Sequence, residues 1–415
     1  MSALTDLRDE PDHDVVIVGG RVAGAATALL LARRGWRVLV LERAERGADT
    51  LSTHALMKGG VLQLHRWGLL DAVRDAGTPP IRRTTFHFGD ESLALPAKPV
   101  GGVDALYAPR RTVLDPVLSD AAVAAGADVR FGTTVAGLLR GGDGRVHGVC
   151  TREADGSTRD VSARLVVGAD GVRSLVARSV DAAVTHRAEH AGSFAYAYFG
   201  TEPDAFDGYQ WCYRPGASAG VIPTNGGVLA WIGVPQDRFD REVRGQVGAA
   251  FWSLIAANAP EVHDRLAAAP RTSRFHATRG WPGYLRRSSG PGWALVGDAA
   301  HFKDPISAHG LTDALRDAEL LARAVHDGLE DPSSMAEGLT RYERRRDALS
   351  LPLVAAVDAV ASYSWSMVEV REHLLALSAA MRDEVAVLTR LDETDRSDPG
   401  SWVERDREVV GAAPA

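Results

Sequence analysis

The 415-residue chain is poor in cysteine: Cys150 and Cys212 are its only two, too few for a disulfide framework and insufficient by themselves for a metal site. It also lacks an excess of positive charge. Its 47 Lys and Arg face 54 Asp and Glu, a net of −7, and its longest basic run is Arg344-Arg345-Arg346. That balance argues against a nucleic-acid partner or an anionic membrane surface. Long apolar runs are missing as well, each being broken by Arg, Asp or Gly before the roughly 18 residues that a helix needs to cross a bilayer, so no membrane span is expected. The opening MSALTDLRDE carries acids where a signal peptide would be basic and then apolar, and a cytoplasmic location is the expectation. What the chain does have is 45% hydrophobic residues, enough at this length to bury about three quarters of its unfolded surface in about two or three domains.

Periodicity supplies the organisation. DVVIVGG from residue 14 reads as a buried strand, RVAGAATALLLARRG as a helix stopped by Gly35, and WRVLVLER as a second buried strand, so residues 14–43 form one βαβ unit. Residues 60–76 and 111–126 space their apolar residues as amphipathic helices do. Short strands follow near 127–137 and 145–151, turned at Asp143-Gly144, and ARLVVGADG from 163 resumes the buried-strand pattern. Between about 185 and 285 the chain becomes strand-rich, with a hairpin at Asn225-Gly226 and a helix at about 245–256, as an inserted antiparallel sheet would read. WALVGDAAH from 293 is again a buried strand, 310–327 a helix, and 335–392 largely helical, with a loosely held tail from about 393.

At the first strand–helix junction stands Gly19-Gly20-Arg21-Val22-Ala23-Gly24. In a GxGxxG fingerprint the first glycine makes the turn, the second admits a pyrophosphate and the third lets helix and strand pack closely. Gly19 and Gly24 fit, whereas Arg21 replaces the second glycine. A free helix N-terminus and a guanidinium both suit phosphate; a tight turn with no ligand is the alternative. Glu42, with Arg43 beside it, lies 23 positions after Gly19, near the offset at which a carboxylate takes the adenosine ribose hydroxyls and repels a 2′-phosphate. FAD and NAD both satisfy that requirement.

Two later segments separate them. RLVVGADGVRSLVAR, residues 164–178, resembles the DG motif, and WALVGDAAHFKDPISAHGLTDALRDAELLA, residues 293–322, resembles the GD motif, of FAD-dependent monooxygenases related to para-hydroxybenzoate hydroxylase. The resemblance spans residues 14 to about 345. It implies an α/β fold: a Rossmann-like FAD-binding domain from 1–80, 105–180 and 286–345, an inserted antiparallel-sheet substrate domain from 81–104 and 181–285, and a helical region from 346–415. It further implies that Asp298, after Gly297, binds the FAD ribityl chain, and that Pro305 and the backbone at Gly310, Leu311 and Thr312 approach the flavin pyrimidine edge. Asp170 matches a position associated with FAD and the transient nicotinamide, or is a turn residue holding Arg173 or Ser174. Arg111 resembles an arginine set against flavin or phosphate, or is a helix cap. Ser52, Thr53 and His54 fall where relatives pass the isoalloxazine, and His54 touches flavin or substrate unless it is an ordinary loop histidine.

The chemistry so implied uses NADH or NADPH as transient reductant and O2 as co-substrate, passing through a flavin C4a-hydroperoxide to oxygenate an aromatic or polyketide-like small molecule, as in secondary metabolism. No side-chain nucleophile is required. Tyr196, Tyr198, Trp211, Tyr213 and Trp231 are candidate pocket walls or ordinary core, each strand pair sharing one face. The run PxxGxGxN of relatives is altered here to Pro305, Ala308, Gly310 and Thr312, the WxWxIP of flavin halogenases is absent, and only about 70 residues remain after the last family feature, too few for the thioredoxin-like domain of some phenol hydroxylases. His186 and His190 would share a face only on a helix and lack the glutamate of a zinc HExxH, so no metal is expected. The alternatives are an isoprenoid double-bond reductase resembling geranylgeranyl reductases, and a non-catalytic lipid-binding relative of the Rab escort proteins. Oligomeric state is left open.

Overall fold

The computed structural model describes residues 11–153 and 156–396. Strand His13–Val18 is flanked in parallel by Val38–Leu41 on one side and Thr158–Gly168 on the other. Trp293–Leu295 and Asp128–Arg130 extend the parallel row to five strands. Both faces are covered, which is why these strands read as continuous apolar runs and not as alternation. On one face Val15, Ile17, Val38 and Val40 meet the helix Val22–Ala32, buried all round between Arg111–Ala124 and Gly310–Glu330. On the other, Val16, Val18, Leu39 and Leu41 meet the hairpin Thr134–Arg140 and Val146–Arg152.

A second, seven-stranded sheet runs His276–Thr278, Gly192–Phe199, Gly227–Pro235, Ala217–Thr224, Tyr209–Arg214, Arg83–Phe88, Glu91–Pro96. The pair 83–96 therefore joins the strands 192–235 across more than a hundred residues of sequence. Side chains alternate across the sheet. Tyr196, Tyr198, Trp211, Tyr213 and Trp231 share the face turned to the helices Met335–Ala361 and Met367–Arg396, while Ala195, Ala197, Cys212 and Ala219 share the face under Val247–Asn258 and Pro260–Ala267.

Several expectations change in detail. The helix read over 60–76 is two, Lys58–Arg66 and Leu70–Asp75, because Gly68 takes a left-handed conformation (φ 73°) and Leu69 N–H turns back to the Leu64 carbonyl at 2.8 Å. The helical stretch 335–392 breaks after Ala361, where Tyr363 is left-handed (φ 54°). His186 lies on the strand Val184–Arg187, not on a helix, so it does not share a face with His190, whose Nδ1 is 3.3 Å from Asp358. The tail expected to be loose from about 393 lies, beyond Arg396, outside the described residues.

Candidate functional site

Gly19, Glu42, Asp170 and Asp298 come from four distant segments, yet each follows the carboxyl end of one of four adjacent parallel strands. Val18 is in register with Leu41 and Gly168, and Gly168 with Leu295. Their side chains thus stand along one edge of the sheet, the edge at which open α/β folds bind ligands.

At the centre, Gly19 is left-handed (φ 102°), and a Cβ there would lie 2.5 Å from the Ala169 carbonyl oxygen. A Cβ on Gly24 would lie 1.8 Å from the Gly19 oxygen, so only glycine permits this helix–strand approach. Arg21 is the extended N-cap residue of the helix and makes no side-chain cap. The first helical amides are thereby left for an external anion. Its guanidinium reaches Asp115 at 3.4 Å with a side chain about one third exposed (31%). Asp115 is gripped more firmly by Arg111, at 2.7 and 2.9 Å. Burial pushes the Asp115 carboxyl upward, and Arg111 opposes the shift.

Glu42 is buried, one oxygen accepting the Gly20 N–H at 2.8 Å and the other the Ala44 N–H at 2.9 Å. The carboxylate is fixed in place at the wall of a cleft shared with Gly20, Arg21, Asp115 and Ser119. Arg43 is exposed next to it. At the other end, Gly297 (φ 61°) brings the GD motif against the fingerprint: a Cβ there would lie 2.8 Å from that of Ala23.

Asp298 is exposed although Gly297, Ala299 and Ala300 around it are buried, so it is open to solvent at this edge of the sheet. The surrounding protein pushes this carboxyl up to about 6, partly offset by Arg111 and Lys303. Gly310 repeats the pattern: it is exposed between buried His309 and Thr312, with nothing within 4 Å of an added Cβ. The 21-residue helix that it starts has no side-chain cap. Space is open beside its first residue, and uncapped helix amides suit an anion or a flavin edge. Leu311 is half-buried, and Thr312 Oγ1 accepts the Met57 N–H at 3.0 Å. Pro305 opens a short turn in which Ala308 is left-handed (φ 49°).

Asp170 shows a turn role: it accepts the Ser174 hydroxyl and the N–H groups of Leu175 and Val176, at 2.6 and 3.2 Å. His54 is fully buried in a left-handed conformation (φ 63°), its Nε2 hydrogen-bonded to the Tyr198 hydroxyl and its Nδ1 unpartnered. Burial, then Arg111 and Arg110, lower its pKa to about 3, so it is neutral. Sequence reasoning missed Arg110, whose guanidinium lies 3.9 Å from the Tyr198 ring centre, and His276, stacked on Tyr196 at 5.0 Å. Neither has a local signature. Trp211, Tyr213 and Trp231 lie on the same face of the sheet, Trp211 packing on Trp231 and Tyr213 on Trp365.

Sequence reasoning also missed a buried ionic cluster under the Gly310 helix. His309, Asp313 and Glu384 stand close enough to share a metal ion. Lys303 pairs with Asp313, however, and Arg316 with Glu384 at 2.8 Å, so cations of the chain already occupy the carboxylates.

A family profile described as an FAD binding domain matches residues 12–356. The chain belongs to this FAD-binding family. It is accordingly an FAD-dependent enzyme of the para-hydroxybenzoate hydroxylase type, as its three ordered motifs imply. It is 28% identical over 357 residues to digeranylgeranylglycerophospholipid reductase 1 of Methanopyrus kandleri, covering 80% of this chain and 86% of that protein. It is 28% identical over 370 residues to 3-demethoxyubiquinol 3-hydroxylase of Escherichia coli, covering 83% and 88%. The fold of PqsL, a probable FAD-dependent monooxygenase from Pseudomonas aeruginosa, superposes with a TM-score of 0.74 at 23% identity, covering 89% of this chain and 99% of that one. Among the described residues no helix is long and apolar enough to cross a membrane.

Proposed function

We propose that this flavoenzyme is a monooxygenase that oxidises an aromatic or polyketide-like small molecule with NADH or NADPH and O2, in cytoplasmic secondary metabolism. The observation that carries the reading is the row of Glu42, Gly19 and Asp298 along one sheet edge, with uncapped helix termini between and beside them. In this reading Glu42 holds the adenosine ribose, the Val22 and Ala23 amides with Arg21 the diphosphate, and Asp298 the ribityl hydroxyls. The amides after Gly310 meet the flavin edge. Residues 81–104 and 181–285 form the substrate domain. Bound FAD supplies the two-electron chemistry and, once reduced, the reaction with O2.

The chain's own contribution is position and hydrogen bonding. Tyr196 and Tyr198 form an edge-to-face pair at 5.8 Å beside His54 and Arg110, an aromatic wall carrying one polar spot. Neutral His54 shares a hydrogen bond with the Tyr198 hydroxyl, whose own pKa burial raises. A substrate phenol or enol oxygen at that spot would be oriented by these hydrogen-bonding groups.

The reductase relatives favour a second reading, reduction of isoprenoid double bonds. The hydroxylase relative, and an aromatic wall with the His54, Tyr198 and Arg110 spot in it, support oxygenation. The decisive experiment screens aromatic candidates for substrate-stimulated NAD(P)H oxidation coupled to O2 uptake. Anaerobic loss of an isoprenoid double bond, with no O2 coupling to any aromatic, would overturn the proposal in favour of the reductase.

A further inference from the structure

The seven-stranded sheet has a second open surface, on the side away from Tyr196 and Tyr198. The helices Val247–Asn258 and Pro260–Ala267 cover that side over Ala195, Ala197 and Ala219. Beside them, over the strands Arg83–Phe88 and Tyr209–Arg214, lies a cavity of about 400 Å³ lined by His87, Gln210, Arg214, Asn258, Glu261 and Arg265. That volume is in the range of small-molecule sites. Gln210, Cys212 and Arg214 reach it from alternate positions of one strand, whose intervening Tyr209, Trp211 and Tyr213 belong to the opposite face. The cavity shares no residue with the row of Glu42, Gly19 and Asp298.

Part of its wall is fixed by hydrogen bonds. Buried Gln210 donates from Nε2 to the Asp207 carbonyl at 2.9 Å, so its Oε1 accepts from His87 Nε2 at 2.8 Å. His87 Nδ1 is then free to accept the Ser92 hydroxyl at 2.8 Å, and a neutral imidazole satisfies the whole chain. Other polar atoms have no partner. Arg214 gives Nη2 to exposed Asp90 at 3.0 Å, while its Nε is buried and unbonded. Buried Asn258 donates from Nδ2 to the Leu254 carbonyl at 2.7 Å, which leaves Oδ1 without a protein donor among the described residues. Glu261 and Arg265 have the four-residue helical spacing at which opposite charges usually meet. Neither makes an ion pair among the described residues; Arg265 turns instead to the Ala205 carbonyl at 3.0 Å and the Phe206 ring at 5.7 Å. Burial lifts the Cys212 thiol to about 12, with Arg214 opposing the shift and Glu261 adding to it, so opposite charges bear on one stretch of the wall. We propose that this cavity is a second ligand site, for an amino-acid-like zwitterion with an apolar or aromatic side chain. Arg214 Nε–H and Arg265 take the carboxylate, Glu261 and Asn258 Oδ1 the ammonium, and Phe206, Pro260 and Val262 the side chain.

The test is calorimetric titration of the full-length protein with L-phenylalanine, and with phenylpropanoate and phenylethylamine, which each lack one of its charges. The amino acid should bind at one site, and each analogue roughly tenfold or more weakly, through loss of a charge-assisted contact. Arg265→Met should weaken phenylalanine roughly tenfold and leave phenylethylamine unchanged, because the amine has no carboxylate to lose. Glu261→Gln should weaken phenylalanine and leave phenylpropanoate unchanged. Both side chains are exposed, so neither substitution disturbs the core. Tyr198→Phe, on the opposite face of the sheet, should leave phenylalanine binding unmoved, which separates this cavity from the aromatic wall. Absence of phenylalanine binding up to about 10 mM overturns the site. Binding that ignores both Arg265→Met and Glu261→Gln, or that is lost in Tyr198→Phe, overturns it equally. None of these outcomes depends on whether the protein carries FAD, so the cofactor placement stands or falls separately.

Discussion

Asp298→Asn separates the cost of this carboxylate from the cofactor role proposed for it. In the FAD-free protein the Asp298 carboxyl is pushed from 3.8 to about 6. Two units at 1.36 kcal/mol each set a ceiling of about 3 kcal/mol. Water in the open cleft screens the group, so about 1 kcal/mol is the working figure. The raised value means that the folded protein binds this proton more tightly than the unfolded chain. Stability is therefore lost as pH rises from about 4 to 6, and the loss is complete above that. Asparagine carries no charge and escapes the loss. At pH 7 the FAD-free variant should be the more stable of the two, by roughly 1 °C in Tm, given an unfolding entropy of about 2 cal/mol/K per residue. Below pH 4 the two should coincide. FAD affinity should move the other way, falling roughly 10- to 100-fold through loss of charge-assisted hydrogen bonds to the ribityl hydroxyls. Asp298→Ala should lose the flavin with the fold intact. Calorimetry of the stripped proteins from pH 4 to 8, with FAD titration at pH 7, checks both arms. An Asn variant that is less stable at pH 7 would refute the desolvation argument, and one that still purifies yellow at full occupancy would refute the ribityl role.

Gly24→Ala drives a methyl to within 1.8 Å of a backbone oxygen, and should cost more than about 3 kcal/mol and abolish FAD binding; a soluble, yellow variant contradicts the packing described. Glu42→Ala strips the acceptor from two amides, at about 1–3 kcal/mol for each left unpaired, and should raise the Kd for FAD roughly tenfold or more; calorimetric titration showing unchanged affinity rejects the adenosine assignment. His54 and His301 are both held near pKa 3 by burial, so stability is present above pH 6.5 and declines below it, by about 2 kcal/mol per histidine at pH 5. Denaturant unfolding of His54→Asn should show a shallower acid slope, and an unchanged slope would place His54 in water. Arg21→Ala should weaken FAD binding and reduce its salt dependence, and tighter binding would show that the side chain obstructs the diphosphate.

Elements whose determinants are local were legible in sequence. The unit from His13 to Leu41 announced itself because its strands are buried on both faces and its helix on all sides, giving unbroken apolar runs. The Asn225-Gly226 hairpin carries a turn signature with its own conformational cause, and Gly226 and Gly227 both take positive φ. The split of 60–76 was hidden because apolar spacing continues across Gly68. The ionic cluster was hidden for another reason: Arg316 and Glu384 are 68 residues apart, on different helices. Its one trace was the density of charge in HFKDPISAHGLTDALRD, which reads as a solvated face until the helix proves to be buried through most of its first three turns.

The departures from the family pattern follow one logic. Arg21 is extended and needs no left-handed backbone, so the glycine of relatives is dispensable for the turn and matters only for the approach of phosphate. Its pair with Asp115 is long and partly exposed, worth about 0–1 kcal/mol, and leaves the guanidinium free to turn toward an anion. Ala308 is the opposite case. It keeps the left-handed turn without glycine, a strain of about 1 kcal/mol or more that the surrounding structure must hold. The clamp is visible beside it: Asp304 accepts the N–H groups of Ile306 and Gly192, and Thr312 accepts that of Met57. Where the resembled motif has glycine to shape this loop, this chain has buried polar contacts.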